Sequence, residues 1–447
     1  MKDFRLLFCL ALLLTVSVGK AQDSPKPMSL KDCATFAIEN SPQVQTALLE
    51  ISKNDYKIKE VLSTGLPQVN LSGNYTYNLK LPTSLIPGEI FGGPEGSFQE
   101  VQFGTKMNTQ FSGELNQLVF NKTFFLGLDA TRKLKKLYTL QVDKTKEDIA
   151  YSIAQLYYSI QVTQKQRNIL QANLDQVKSL LGLTEKQYQN GFAKQIDVDQ
   201  LRVNRINLEN QIVNLALQVE QLQQTLKFYM AMPLDTPIAL TDTLNESAYS
   251  VPDVQMFSAD FSQKTDLDIL NTQSELNDLN VEQFKSGYWP TLNAFANYNY
   301  QAQGDKFGDL LWFDFGSIGL NLNIPVFDGF RKKAQIQQAQ IDQLQLAETR
   351  RFTTQSLNLA YNKGLQQLQT NINNLRALDE NRKVAEQVYR VSQNRFKEGV
   401  APITEVLQSE TSMREAQTNY LTTLLQVKLA EIDILNSKGT LLDSILK

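Results

Sequence analysis

A turn that the chain makes twice constrains its fold more than any other feature. Residues 188–198 (Tyr-Gln-Asn-Gly-Phe-Ala-Lys-Gln-Ile-Asp-Val) return 208 residues later as residues 396–406 (Phe-Lys-Glu-Gly-Val-Ala-Pro-Ile-Thr-Glu-Val). The aromatic residue, the glycine, the alanine, the acid and the valine keep their places. Glycine at the end of a helical pattern is typical of a left-handed C-cap, so Gly191 and Gly399 each predict a helix, a tight turn and an antiparallel return helix. A repeat of this length indicates a duplicated half-protein.

The first 21 residues have the pattern of a secretory signal peptide. Lys2 and Arg5 precede the apolar run 6–18, and small residues lead to a predicted cleavage after Ala21. The mature chain keeps only Cys33, so we expect neither an internal disulfide nor a thiolate metal site. No later stretch approaches the roughly 18 apolar residues of a membrane helix. The exported product is therefore soluble, or it meets a membrane by strands.

Segments of alternating polarity precede each predicted long helix, two in each half. They cover residues 68–79, 107–116, 290–300 and 317–323. The pattern is typical of membrane-barrel strands with one face in lipid and one towards a polar lumen, but a half-buried strand of a soluble sandwich alternates in the same way. Four strands cannot close a barrel, so a barrel needs several chains. The side chains predicted to face lipid are Leu71, Tyr75, Phe111, Leu115, Tyr298, Ile318, Leu320 and Leu322.

Aromatic and basic residues cluster beside these segments. The aromatic residues form two groups, towards the two ends of the hairpins: Phe120, Phe124, Phe125, Trp289, Phe327 and Phe330 at one end, and Tyr77, Tyr300, Trp312 and Phe313 at the other. Two membrane girdles would give this distribution, and so would ordinary cores. Basic clusters at 132–136 and 331–333 open the long helices, where cations oppose the helix dipole. Either phospholipid head groups or a solvated face accounts for them.

We therefore predict a mainly α-helical chain with duplicated halves, long antiparallel coiled-coil helices and four barrel strands. Residues 128–181 lack glycine and proline, and 330–398 contain only Gly364. The first return helix has a heptad seam of Leu208, Ile212, Leu215, Val219, Leu222, Leu226 and Tyr229. The predicted segments are a signal peptide (1–21), an N-terminal helix (22–65), a first β-hairpin (66–120), a long helix pair (121–232), a linker (233–262), a helix (263–287), a second β-hairpin (288–327), a second long helix pair (328–438) and a C-terminal tail (439–447).

Residues that carry catalysis are missing from the sequence. The chain has no histidine, so a Ser-His-Asp triad and an imidazole metal site are excluded. It has no phosphate-binding glycine loop, and its carboxylates are scattered along helical positions. A net charge of −3 argues against nucleic acid as a partner. We expect a protein that is not an enzyme and needs no cofactor or metal.

Short motifs in a duplicated order resemble those of the TolC-like outer-membrane efflux proteins. They are residues 30–34 (Leu-Lys-Asp-Cys-Ala) with 40–42 (Asn-Ser-Pro), 287–290 (Gly-Tyr-Trp-Pro), 325–329 (Pro-Val-Phe-Asp-Gly) and the two glycine turns. The resemblance covers essentially all of the mature chain. It implies a homotrimer in the outer membrane, with a twelve-stranded β-barrel continued by a twelve-helix tube across the periplasm. Such ducts export small molecules or proteins together with a periplasmic adaptor and an inner-membrane transporter of the RND, ABC or a similar type.

The resemblance also implies that the two turns converge at the periplasmic entrance of the tube. The entrance candidates here are Asp197, Glu405, Gln200, Gln408 and Phe396, with Gly191 and Gly399 as the turn glycines. Six carboxylates from three copies would lie close together there, with Lys194 and Arg395 as the nearest basic residues. An acid in the first turn of a helix also complements the helix dipole, and both roles remain open.

The chain departs from the family pattern at the turns. Lys194 and Pro402 stand where the family often has a small hydroxyl residue, and Phe396 stands where it often has tyrosine. Gln200 and Gln408 are neutral, which favours a single mixed ring over two acidic rings. The alternative function is a non-conducting periplasmic or surface coiled-coil scaffold. The matching strand alternation in both halves argues for the duct, and the cargo stays open between drug, metal, peptide and protein.

Overall fold

The computed structural model describes residues 26–242 and 260–447 of the chain. The helices are α1 (Leu30–Asn40), α2 (Pro42–Ser63), α3 (Lys122–Gln189), α4 (Gln195–Tyr229), α5 (Thr265–Ser286), α6 (Arg331–Lys397), α7 (Ile403–Lys438) and α8 (Leu441–Leu446). The strands are β1 (Lys26–Met28), β2 (Gln68–Tyr77), β3 (Thr83–Pro87), β4 (Phe98–Gln102), β5 (Met107–Phe120), β6 (Ile238–Leu240), β7 (Thr291–Gly304) and β8 (Leu311–Asn323). The predicted signal peptide and part of the predicted linker lie outside the described residues.

The chain divides into two compact units. The first contains residues up to 48 together with 140–269 and 350–447, and the second contains 49–139 and 270–349. No helix within residues 26–242 and 260–447 is long and apolar enough to cross a membrane.

The second unit is built around an antiparallel sheet with strand order β2-β5-β7-β8. Each of the four strands coincides with a segment that the alternation predicted, and three of the strands extend beyond their segments. β5 continues to Phe120, with a bulge between Leu118 and Phe120, and β8 begins at Leu311. The two hairpins join side by side through β5 and β7, so strands from both halves of the sequence form one continuous sheet.

The first unit is built around the long helix pairs. A buried cluster joins α3, α4, α6 and α7 through residues such as Leu174, Leu201, Tyr389 and Val406. The predicted heptad seam of α4 packs inwards: Leu208, Val219 and Leu226 are buried, and its remaining members lie half-buried against the same clusters. The helix α3 runs from Lys122 to Gln189, up to the predicted cap at Gly191, and passes through Gly127 and Gly182.

Elements in the long loop, in the linker and at both ends of the chain differ from the prediction. A small antiparallel hairpin of β3 and β4 lies in the long loop between β2 and β5. The strand β1 pairs in parallel with β6, which falls in the predicted linker. The predicted C-terminal tail contains α8, and the predicted N-terminal helix is two helices that meet at Ser41.

Candidate functional site

The register of the sheet brings all eight predicted lipid-facing residues onto one face. Leu71 lies opposite Gly113, and Gly113 lies opposite Tyr298. One row along, Leu115 and Ile318 both lie opposite Ala296. Directly paired residues of antiparallel strands project to the same side, so residues from both halves share this face. All eight of these side chains are exposed.

The opposite face of the sheet is polar and hydrogen-bonded across the strands. Ser112 Oγ donates to Asn299 Oδ1 at 2.6 Å, and Gln110 Nε2 donates to the same oxygen at 3.0 Å. Ser317 Oγ donates to Asn297 Oδ1 at 3.0 Å. Phe295, Phe313 and Phe315 also lie on this face, so it is mainly rather than wholly polar, whereas the other face is mainly apolar.

Both edges of the sheet are open. The outer edges of β2 and β8 pair with no other strand among residues 26–242 and 260–447. Unpaired edge strands present rows of free N–H and C=O groups, which are templates for pairing with another chain.

The two glycine turns have the same backbone geometry. The φ angle of Gly191 is 80° and that of Gly399 is 76°, in the left-handed region. The following residues close the helix ends, because Phe192 N donates to Gln187 O at 2.8 Å and Val400 N donates to Arg395 O at 2.9 Å. These bonds are those of a Schellman motif, so the predicted glycine caps are confirmed in both halves.

The two acids that follow the turns have different partners. The Asp197 carboxylate accepts a bond from the backbone N–H of Lys194 at 3.0 Å, which is the reverse arm of a capping box. Pro402, at the matching position before Glu405, has no N–H to donate. Glu405 Oε1 instead accepts from Arg395 Nη1 at 2.8 Å and from Ser392 Oγ at 3.2 Å. Among the residues that the structure describes, a cation offsets the charge of Glu405 and none offsets that of Asp197.

The other entrance candidates differ in exposure. Phe396 is buried in the cluster of the four long helices, so its ring supports the turn from inside. Gln408 is exposed, and Gln200 is half-buried with its Oε1 lacking a hydrogen-bond partner among the described residues. Within those same residues, no three acidic, cysteine or histidine side chains are grouped to hold a metal ion.

A buried acid near the second turn was missed by the sequence reading. Glu410 in α7 is only 1% exposed, and burial raises the pKa of its carboxyl. Asn204 Nδ2 in α4 lies 3.4 Å from Glu410 Oε2, and Arg414 Nε lies 3.4 Å from Oε1. Arg414 also donates to Gln211 Oε1 at 3.2 Å. Glu410 Oε1 and Arg414 Nε form an ion pair but have no hydrogen-bond partner among the described residues, so this buried polar layer between α4 and α7 is only partly satisfied.

Comparison with known proteins identifies the family. The family model described as outer membrane efflux protein matches residues 35–231 and 265–440. The chain is 21% identical to the outer membrane protein TolC of Salmonella enteritidis in an alignment of 436 positions, which covers 90% of this chain and 80% of that protein. It is 20% identical to TolC of Vibrio cholerae over 458 residues, covering 97% of this chain and 95% of that protein.

Solved structures show the same fold. The outer membrane protein VceC of Vibrio cholerae superposes with a TM-score of 0.70 at 16% identity, covering 92% of this chain and 96% of that one. The Neisseria gonorrhoeae MtrE outer membrane channel in its open state gives a TM-score of 0.70 at 14% identity, covering 92% and 88%. The family model and the solved structures confirm the resemblance across both halves of the chain. The chain belongs to the outer membrane efflux protein family and is an outer-membrane protein.

Proposed function

We propose that three copies of this chain assemble into an exit duct across the outer membrane. The open edges of the four-stranded sheet carry the proposal. In hydrocarbon an unpaired strand edge leaves backbone groups unsatisfied at a cost of several kcal/mol each, so the edges must pair between copies. If β8 of one copy pairs with β2 of the next, three four-stranded sheets close a twelve-stranded barrel. The apolar face then meets lipid and the polar face lines the lumen.

A second set of apolar residues on the long helices supports assembly. On α4, Val203, Ile206, Val213 and Leu217 are exposed at heptad-like spacing, beside the inward seam. On α6, Val384, Val388 and Val391 are also exposed. Repeated apolar stripes of this kind are typical of helices that pack against further helices. Neighbouring copies covering them would produce the helical tube.

The glycine turns are the proposed periplasmic end of the duct. Phe192 and Val400 occupy the same position in the two turns and are both exposed. Such paired apolar tips suit docking by a periplasmic adaptor that links the duct to an inner-membrane transporter. A non-conducting scaffold would explain the helix pairs, but it has no need of a sheet with one apolar face.

The acids after the turns are the proposed entrance ring. Because Arg395 offsets Glu405 while Asp197 is bonded only to a backbone N–H, we infer that Asp197 contributes most of the uncompensated negative charge. The double variant Asp197→Asn with Glu405→Gln should leave the trimer intact and reduce cation selectivity in planar bilayers. Unchanged selectivity would leave these acids with helix-end roles only.

The assembly state gives the direct test of the trimer. The mature chain, purified in mild detergent, should have three times the chain mass by light scattering after size exclusion, with its strand content retained by circular dichroism. A monodisperse monomer with intact strand content would contradict the shared barrel.

A further inference from the structure

The first of the two basic clusters is neutralised within the second unit. Lys133 Nζ lies 2.8 Å from the Glu275 carboxylate, and Lys136 Nζ lies 3.9 Å from it. Lys135 Nζ lies 2.9 Å from Asp55. Ion pairs between helices account for this cluster, so it leaves little charge for an outside partner.

The cluster at the start of α6 keeps an excess of positive charge. Four cations, Lys122, Lys285, Arg331 and Lys332, lie near two acids, Glu282 and Asp328, and Lys333 follows Lys332 in α6. Lys285 pairs with Glu282 at 2.8 Å, and Lys332 pairs with Asp328 at 3.3 Å. Arg331 shares Asp328 with Lys332, at 3.9 Å, and Lys122 and Lys333 make no ion pair with any residue that the structure describes. The local balance is therefore positive.

Aromatic rings hold two of these cations in place. Lys122 Nζ lies 4.3 Å from the ring centroid of Trp289, and Lys332 Nζ lies 5.1 Å from that of Tyr288. Both rings are half-exposed. Tryptophan and tyrosine with one apolar and one polar side are typical of the boundary between membrane and water, where a neighbouring cation meets lipid phosphate.

An apolar knuckle, residues 324–330, projects beside this charge. Its side chains Val326, Phe327 and Phe330 are 91%, 74% and 67% exposed. Gly329 and Phe330 have φ angles of 66° and 64°, and a left-handed conformation is rare for a bulky residue such as phenylalanine. A strained backbone that keeps an apolar ring in the open indicates a surface with a partner.

We propose that this surface binds an anionic phospholipid of the outer membrane, an inference that rests on the membrane role proposed above. The lipid phosphate lies at Lys122 beside Trp289, the exposed Lys333 at the start of α6 adds positive charge to the same surface, and the acyl chains lie along the apolar knuckle. A positive balance beside an exposed apolar surface matches a molecule that is anionic at one end and apolar at the other.

The test measures binding of phosphatidylglycerol to the full-length mature protein in non-ionic detergent, by native mass spectrometry. A basic residue at an anionic lipid surface contributes about fivefold in affinity, so Lys122→Gln with Lys333→Gln should weaken binding about 25-fold. The matched control, Lys135→Gln with Lys136→Gln, removes the same charge from the neutralised cluster and should change affinity by less than about twofold. Phe327→Ser should also weaken binding, because it shortens the apolar arm.

Other outcomes would overturn the proposal. Equal losses in the two double variants would mean that only overall charge matters, and no loss in either would mean that the lipid binds elsewhere. Displacement of phosphatidylglycerol by an equal concentration of inorganic phosphate would identify a phosphate site that does not need a lipid. The oligomeric mass is read from the same spectra, so failure to form trimers is seen separately from failure to bind lipid.

Discussion

The substitution Leu320→Arg tests which face of the sheet meets lipid. Leu320 in β8 lies opposite Ala294 on the apolar face and is 67% exposed. Its neighbour Asn321 lies opposite Asn293 on the polar face and is also exposed. In water both positions would accept arginine at little cost, so only a bilayer makes the two variants differ.

The expected difference is large because the proposed trimeric barrel would contain each position three times. An arginine facing lipid costs about 2–4 kcal/mol near the bilayer midplane, or about 6–12 kcal/mol for an assembled trimer. Asn321→Arg adds its charge to the polar face and avoids this cost. Both variants are refolded from urea into phospholipid vesicles, and the yield of trimer is measured against the unaltered chain.

We expect Leu320→Arg to lose most of its trimer yield and Asn321→Arg to keep it. Circular dichroism of both variants in detergent checks that the strands still form. Equal yields with the strands intact would refute the assignment of the faces, because the two positions are adjacent in β8 and face opposite sides of the sheet.

Two further predictions concern the helices of the first unit. Gly364→Ala places a Cβ atom 2.9 Å from Ile434 Cγ1, a buried side chain, and should destabilise the protein by about 1–3 kcal/mol. Gly182→Ala, whose added Cβ atom would have no other part of the protein within 4 Å, should be neutral or stabilise by up to about 1 kcal/mol. Thermal denaturation followed by circular dichroism compares the two variants, and equal shifts in unfolding temperature would contradict the packing of Gly364 against Ile434. Burial raises the pKa of Glu410 above its ordinary value of 4.5, so the folded state binds its proton more tightly and stability falls as pH rises through the folded pKa. Glu410→Gln should therefore reduce the fall in unfolding temperature between pH 4.5 and the raised pKa of the folded state. An unchanged dependence of unfolding temperature on pH would show that Glu410 does not cause the fall.

The strands and turns could be predicted because their signals are local. Alternation over about ten residues determines which side chains share a face, and a glycine after a helical pattern determines the cap. The helix α3 continues through Gly127 and Gly182, because packing along a long helix outweighs the roughly 1 kcal/mol that each glycine costs. The β3–β4 hairpin was missed because its strands are short and are separated by a stretch rich in glycine.

Matching positions of the two sequence repeats have different contacts at the candidate entrance. Asp197 and Glu405 occupy matching positions, yet their contacts differ because Pro402 lacks the N–H that Lys194 supplies. That difference could have been read from the sequence. The environment of Glu410 could not, since its partner Asn204 comes from the other half of the chain. Its place on the inward seam of α7, between Val406 and Met413, was the one available signal.

Electrical conductance tests the central claim most directly. The unaltered protein and the double variant Asp197→Asn with Glu405→Gln are each added to a planar bilayer. Co-flotation with vesicles first checks that each protein associates with the membrane. We predict discrete conductance steps from both proteins, with lower cation selectivity in the variant, because three apolar-faced sheets enclose a polar lumen. Inserted trimers that pass no current in either form would contradict the duct and leave a scaffold.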